Sequence, residues 1–201
     1  MLIDLTAYKY SGNIKKDCID LLRQAGYQRV LNHTQAVVAM GKFIAKHENI
    51  DIVALQTACY LHDISVLIPR GKYEGYCIDN GIEVLEVERK LPILLHQKVS
   101  ANLARSIFKI SNRKIIDSIN CHTTLKENAT DLDMILFISD KLAWDLDGIP
   151  PYKNKVMEAL SKSLKNACKT YIDYALENNM ILYPHPDLIK ALSWLNSDEN
   201  Y

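Results

Sequence analysis

Residues 51–63 read DIVALQTACYLHD, and the spacing within this stretch decides the fold class. Its inward residues recur at steps of three and four, which is the period of one face of an α-helix. They are Leu55, Ala58, Cys59 and His62. The stretch is predicted to form a helix that starts near Asp51 and ends at about the adjacent pair His62 and Asp63.

The same helical period continues along the rest of the chain, which contains only seven glycines and six prolines. We therefore predict an all-α fold. The predicted helices run from the N-cap Asn13 to Gly26, across Val30 to Ile44, from Asp51 to the His62-Asp63 pair, and over about 96–109, 112–122, 131–145, 153–179 and 186–195. Between Pro69 and Gly81 the pattern is least regular, and a surface segment with one or two short helices is expected there.

Length and charge limit the possible classes of protein. A chain of 201 residues with 48% hydrophobic content can bury one core, so a single compact domain over residues 1–201 is expected. The 24 acidic and 24 basic residues balance, which argues against a nucleic-acid or membrane-surface partner. The start MLIDLTAYKYSGNIKK lacks a signal-peptide pattern, and no apolar run approaches the roughly 20 residues of a membrane span. The expected compartment is the cytoplasm.

The five cysteines are odd in number, scattered, and never in a C-x-x-C pair. They are Cys18, Cys59, Cys77, Cys121 and Cys168. This pattern argues against a disulfide framework and against a structural zinc site, so reduced and mostly buried thiols are expected.

Potential metal ligands lie on the apolar faces of the predicted helices. They are His33, His62, His96, His122 and Asp140, with Asp63 directly after His62. A lone carboxylate at such a position would cost several kcal/mol unless it were paired, protonated or bound to a metal. The pattern therefore predicts a positive charge next to it.

A single inward histidine is most simply a core imidazole hydrogen-bonded to a backbone carbonyl. Four inward histidines and two aspartates on five helices share another explanation, which is that they converge on divalent metal. Six ligands for two ions, with Asp63 bridging, leave open positions for water and substrate, as a catalytic site requires. The mix of imidazole and carboxylate favours iron or manganese, although cobalt, nickel or zinc could occupy the site in a purified sample.

The remaining two histidines are interpreted differently. His47 lies 14 residues after His33, about 21 Å along a helix, which is too far for a shared metal. It is predicted to be a surface residue at a helix end. For His185, in the sequence YPHP, a structural turn is favoured over a contact with substrate.

The order of these residues resembles the HD-domain phosphohydrolases, which are named for the adjacent His-Asp pair. The matching segments are LNHTQAVVAMGKFIAKH, ACYLHDIS, LLHQKVSANLA and INCHTTLKENATDLDMILFISDKLAWD. The chain is most similar to the YqeK-like branch, and YIDYALENNMILYPHPDLIKAL resembles the closing helix of that branch. The resemblance covers about residues 28–195. It implies symmetrical cleavage of diadenosine tetraphosphate to two ADP, and homodimers are a habit of the family.

The resemblance also implies how the ligands divide between the two metals. One ion is held by His33, His62, Asp63 and Asp140, and the other by Asp63, His96 and His122. Two positions depart from the family pattern. Val66 stands three places after Asp63, where many members carry a basic residue, and Val30 stands where some carry an arginine. These departures concern the substrate rather than the metals.

The predicted chemistry is hydrolysis, with His62 and Asp63 at its centre and a hydroxide supplied by the metals attacking phosphorus. Further cations and hydroxyls are expected to hold phosphate oxygens. The candidates are Arg70, Lys72, Lys98, Thr123, Thr124, Lys126 and Lys141. Lys126 is favoured among them, while each lysine or arginine has the alternative of a solvated surface charge. The two threonines have the alternative of simply ending their helix.

Three functions remain open. The leading one is a dinucleoside polyphosphate hydrolase that acts on a nucleotide substrate. The second is an HD-type nucleotidase or phosphatase for a small phosphoester with a smaller pocket. The third is a nucleotide-binding regulator of low turnover, for which Val66 is the argument.

Overall fold

A computed structural model describes residues 5, 8–144 and 148–197, which form eleven α-helices with no β-strand among them. The helices are α1 Ile14–Gln24, α2 Gln28–Ile44, α3 Ile52–Leu61, α4 Tyr73–Asp79, α5 Glu86–Lys90, α6 His96–Ser106, α7 Arg113–Asn120, α8 Asp131–Leu142, α9 Lys153–Leu160, α10 Leu164–Glu177 and α11 Pro186–Ser197. Short 3-10 turns cover Ala45–His47, Ile64–Leu67, Arg70–Lys72 and Pro92–Leu95. The all-α prediction is confirmed.

Side-chain caps explain where several helices begin. The Asn13 side chain accepts a hydrogen bond from the backbone N–H of Lys16, so the predicted cap of α1 is confirmed. Asp51 accepts from the N–H groups of Val53 and Ala54 at the start of α3. These oxygens satisfy N–H groups that have no partner inside the helix, which fixes the first residue of each helix.

The segment 153–179 is two helices, not the single helix predicted from its spacing. Ser163 lies between α9 and α10, has extended backbone angles, and accepts a hydrogen bond from the N–H of Asn166 at 3.0 Å. Serine competes well for such a cap, so a new helix starts here although the apolar period continues. The predicted end of α8 at residue 145 lies outside the described residues, and the helix ends at Leu142.

Five helices form the centre of the molecule. Helix α2 packs against α3 and α8, α3 packs against α7, and α7 packs against α6 and α8. Gly41 allows the close approach of α2, because a Cβ atom there would lie 3.2 Å from Cys59 Sγ and 3.4 Å from Ser139 Oγ. All five cysteines are free and buried, as predicted.

No single helix in the described parts of the chain is long and apolar enough to cross a membrane. Residues Ile52–Leu67 and Arg70–Asp79 reach that length and composition only when taken together, and they are bent by 87°.

Candidate metal centre

The six predicted ligands meet at the centre of the five-helix core. They are His33 on α2, His62 and Asp63 after α3, His96 at the start of α6, His122 after α7, and Asp140 on α8. Five of them form two overlapping groups that could each hold an ion, and His62 belongs to both. His96 adjoins the second group through Asp63 and His122.

The first group consists of His33, His62 and Asp140. His33 Nε2 lies 2.9 Å from Asp140 Oδ1 and 3.3 Å from His62 Nε2. His62 Nε2 lies 3.5 Å from the same Asp140 oxygen. Three ligand atoms thus converge on one point.

The second group is built around Asp63. Its Oδ1 lies 3.5 Å from His96 Nε2 and 3.7 Å from His122 Nε2, and those two nitrogens are 2.9 Å apart. Its Oδ2 lies 3.6 Å from His62 Nε2. The two oxygens of Asp63 therefore face different histidines, which is the geometry that a bridging carboxylate needs.

All four imidazoles are oriented by backbone carbonyls. Each Nδ1–H donates to a carbonyl oxygen, so each neutral ring has its Nε2 lone pair available. The carbonyls are those of Ala143 for His33 (2.9 Å), Cys59 for His62 (2.8 Å), Ile93 for His96 (2.6 Å) and Ile119 for His122 (2.7 Å). A purely structural role would explain the Nδ1 hydrogen bonds of these histidines. It would not explain why their four Nε2 atoms face one another and two carboxylates. Lone pairs repel at these distances unless a proton or a cation lies between them.

The two carboxylates are held in their charged form. Burial alone would raise the pKa of Asp63, but His62, His122 and His96 together outweigh burial and lower this pKa below its ordinary range. Burial acts in the same direction on Asp140, where the ammonium group of Lys141 does most to lower the pKa well below the usual value. Both groups are therefore anionic ligands at neutral pH.

The pKa values of His62 and His96 shift in opposite directions. Burial opposes protonation of His62, but the charges of Asp63 and Asp140 raise its pKa to about 9. Burial and the neighbouring His122 lower the pKa of His96 to about 4. A proton on His62 thus supplies the positive charge that the carboxylates require, and a metal ion supplies it equally well. The donor set of four imidazoles and two carboxylates fits divalent metal.

A cavity of about 450 Å³, called the first cavity below, opens beside His33, Asp63 and Asp140. The rest of its wall is formed by Arg29, Val30, Arg70, Lys141, Ala143, Trp144 and Tyr152. Of the predicted phosphate contacts, Arg70 and Lys141 are in this wall. Lys141 Nζ lies 2.6 Å from Asp140 Oδ2.

Sequence reasoning did not single out Arg29, Trp144 or Tyr152 as site residues. A signal for the first two was present, because Arg29 lies four residues before His33 and Trp144 lies four residues after Asp140. Residues four apart occupy the same face of a helix, so Arg29 projects from α2 towards the same region as His33, while Trp144 lies just beyond the end of α8. No comparable signal was available for Tyr152, which belongs to a separate part of the chain.

The favoured phosphate contact, Lys126, is held elsewhere. Its Nζ lies 2.9 Å from Oδ2 of Asp133, a buried carboxylate in the first turn of α8. Lys98 is engaged in the same way, with its Nζ 2.8 Å from Oε2 of the buried Glu88. Neither lysine lines the first cavity, and a buried carboxylate without its partner would be costly. Both lysines therefore form structural ion pairs instead of the predicted phosphate contacts.

The other candidates differ: one lies at the site, and the rest have structural or surface positions. Thr123 Oγ1 lies 3.1 Å from His96 Nε2, so its hydroxyl is at the metal centre. Thr124 is buried and its hydroxyl donates to the carbonyl of Leu125, which is the structural alternative. Lys72 is exposed, and Val66 packs against the hydrophobic core.

The two remaining histidines lie away from the ligand groups. His47 is exposed at the end of a 3-10 turn, as predicted. His185 is buried, accepts a hydrogen bond at Nδ1 from the N–H of Asp187, and has its Nε2 3.5 Å from Glu88 Oε1. These contacts support the favoured structural turn at the start of α11, and His185 also lines a second cavity beside the metal centre.

A family model described as HD domain matches residues 30–145, more than half of the chain and every residue of the ligand set. The chain belongs to the HD-domain family. HD domains bind divalent metals, and the His/Asp cluster fits such a site.

Two curated relatives resemble this HD-domain chain. An uncharacterized protein in the pepC 5' region of Lactococcus lactis subsp. cremoris is 42% identical over 131 residues, which are 65% of this chain and 67% of that protein. A probable nicotinate-nucleotide adenylyltransferase/Ap4A hydrolase of Mycoplasma genitalium is 24% identical over 146 residues. That match covers 70% of this chain but only 39% of the Mycoplasma protein.

A solved structure shares the fold. It is a predicted HD superfamily hydrolase involved in NAD metabolism from Clostridium acetobutylicum, with a TM-score of 0.84 and 21% sequence identity. The match covers 95% of this chain and all of that chain. At this identity the likeness shows the fold alone.

Proposed function

We propose that this HD-domain protein is a metal-dependent phosphohydrolase that cleaves diadenosine tetraphosphate in the middle to give two ADP. The observation that carries the hydrolase is the convergence of four Nε2 atoms and two ionised carboxylates beside an open cavity. The dinucleotide substrate is supported by the printed name of the Mycoplasma relative, which includes Ap4A hydrolase, and by the resemblance to the YqeK-like branch.

Two divalent ions, iron or manganese, would be held by two ligand sets that share Asp63. The sets are His33, His62, Asp63 and Asp140 for one ion, and Asp63, His96 and His122 for the other. When bound, such ions lower the pKa of water enough to supply hydroxide near neutral pH, and they offset the charge on phosphate oxygens.

The chain's own residues bind and position the substrate. Arg70 and Lys141 line the first cavity beside Asp63, where their positive charges attract phosphate oxygens. Trp144 offers an aromatic face in the same wall, and such faces stack well on nucleobases. Asp140 holds the ammonium group of Lys141 at 2.6 Å, which fixes its direction towards the site.

One chromatogram tests the proposal. Metal-loaded protein is incubated with diadenosine tetraphosphate, and ADP is expected as the only nucleotide product. ATP and AMP in equal amounts would contradict symmetrical cleavage. An intact dinucleotide together with hydrolysis of a mononucleotide would favour the small-phosphoester nucleotidase, and binding of nucleotides without any turnover would favour the regulator.

A further inference from the structure

A second cavity, of about 210 Å³, lies on another side of the metal centre. Its walls are mainly apolar, with residues from the segment after α10 and from α11. They include Leu94, Thr123, Lys141, Tyr171, Leu182 and Leu188. Nothing in the proposed chemistry of the first cavity uses this space.

Two side chains connect the second cavity to the metal centre. Thr123 is in its wall, with its hydroxyl 3.1 Å from His96 Nε2. Lys141 lines both cavities, and its Nζ lies 2.6 Å from Asp140 Oδ2. The second cavity therefore reaches the His96 side of the centre, and the first cavity reaches the His33 side.

The two cavities share an aromatic wall. Tyr152 lines the first cavity and Tyr171 lines the second, and their ring centroids are 5.0 Å apart at an interplanar angle of 80°. The Tyr152 hydroxyl donates to the backbone carbonyl of Lys141 at 2.8 Å. The side chain of Lys141 lies 5.1 Å from the ring centroid of Phe137 and 6.0 Å from that of Tyr171. Lys141 thus lies between the two cavities, where its charge can act on a ligand in either one.

Symmetrical cleavage leaves one nucleoside diphosphate on each side of the bond that breaks. The oxygen of water bonds to one of the two central phosphorus atoms, and the bond from that phosphorus to the bridging oxygen breaks. The bridging oxygen leaves with the other half and, after gaining a proton that water has lost, completes a second ADP. One half is attacked and the other leaves, so the two nucleoside diphosphates occupy different environments.

We propose that the second cavity binds the second nucleoside diphosphate of a two-ended substrate. Its phosphates lie towards Lys141 and Thr123, and its base lies against Tyr171 and the apolar rim that includes Leu182. This inference rests on the proposed function and deepens it, because it requires a substrate with a nucleoside at both ends rather than a mononucleotide. The ammonium group of Lys141 and the hydroxyl of Thr123 suit the phosphates of such a half, and the side chains of Tyr171, Leu182 and Leu188 suit its base.

The probe for this proposal is ADP, titrated calorimetrically into metal-loaded protein. Leu182→Glu places a negative charge at the rim of the second cavity, and Leu182 is 73% exposed, so the fold tolerates the change. Ile189→Glu is the matched control, because Ile189 is 56% exposed on α11 and is outside both cavities. Trp144→Ala perturbs the first cavity instead.

Two ADP molecules per chain are expected for the unmodified protein and for Ile189→Glu. Leu182→Glu is expected to weaken one of the two sites at least 10-fold and to raise the KM for diadenosine tetraphosphate, while Trp144→Ala weakens the other site. A single ADP per chain in the unmodified protein overturns the proposal, as does equal binding of both ADP molecules by Leu182→Glu and Ile189→Glu. The titration involves no cleavage, so failure of the second cavity and failure of the proposed reaction are separate results.

Discussion

At the scale of single residues, Asp63 connects the two halves of the metal centre. Its Oδ2 faces His62, and its Oδ1 faces His96 and His122. The rings of His62 and His122 are oriented towards Asp63 by hydrogen bonds within their own segments. Each Nδ1–H donates to the carbonyl three residues earlier, at the end of the preceding helix. Carbonyls in the last turn have no partner within their helix, so orienting these ligands also satisfies the backbone.

Arg70 lines the first cavity and is proposed to bind phosphate. Arg70→Ala is expected to lower kcat/KM for diadenosine tetraphosphate about 10- to 100-fold, because a charge-assisted hydrogen bond contributes about 1.5–3 kcal/mol. Metal content should stay unchanged. Steady-state kinetics with metal analysis on the same preparation makes the measurement.

The matched control is Lys72→Ala. It removes the same charge two residues away, from an exposed side chain that is not in the wall of the first cavity. Near-normal kinetics are expected for it. Equal losses in both variants would mean that only the general positive field matters, and the specific role of Arg70 would be wrong.

The ligand positions could be predicted because a polar residue on the apolar face of a helix can be recognised from the spacing of residues in the sequence. The ion-pair partners of the lysines could not be predicted in this way. Lys98 pairs with Glu88 across an irregular segment, and Lys126 pairs with Asp133 across a loop. Such pairs depend on how the chain bends between them, so the sequence offers only a choice between substrate and solvent for each lysine.

At the scale of elements, the start of α8 is fixed by a small polar network. The Thr130 side chain caps the N–H of Asp133, and Asp133 Oδ2 accepts from both the N–H and the hydroxyl of Thr130. Lys126 pairs with the same Asp133 oxygen. This network sets the position of the helix that carries Asp140.

Lys126→Ala is therefore expected to destabilise the fold rather than the reaction. The free energy of unfolding should fall by about 1–3 kcal/mol, because the buried carboxylate of Asp133 loses its ion-pair partner. Turnover per metal-loaded molecule should be near that of the unmodified protein. Chemical denaturation and kinetics together test this, with the exposed Lys162→Ala as the control.

Unchanged stability with a large loss of turnover would restore Lys126 as a phosphate contact.

The helix boundaries show the same limit of prediction from sequence as the ion pairs of the lysines. Spacing predicted α2, α3 and α11 well, but it ran through the break at Ser163 because a cap depends on backbone angles that the apolar period does not record.

At the scale of the whole molecule, the metal centre joins α2, α3, α6, α7 and α8. Ions that bind only the folded state stabilise it by about 2.7 kcal/mol when their free concentration is 100 times the dissociation constant. Removal of metal by a strong chelator is expected to lower the Tm by about 5–10 °C. Calorimetry before and after chelation measures the shift, and readdition of manganese should reverse it.

Identical melting curves, after loss of metal has been verified by elemental analysis, would contradict a site that joins five helices.

The most direct test of the bridged two-metal centre is the number of metal ions per chain in the unmodified protein and in Asp63→Ala. About two transition-metal ions per chain are expected in the unmodified protein, falling sharply in Asp63→Ala, because this one carboxylate serves both proposed ligand sets. Two ions retained by Asp63→Ala would contradict the bridged two-metal centre.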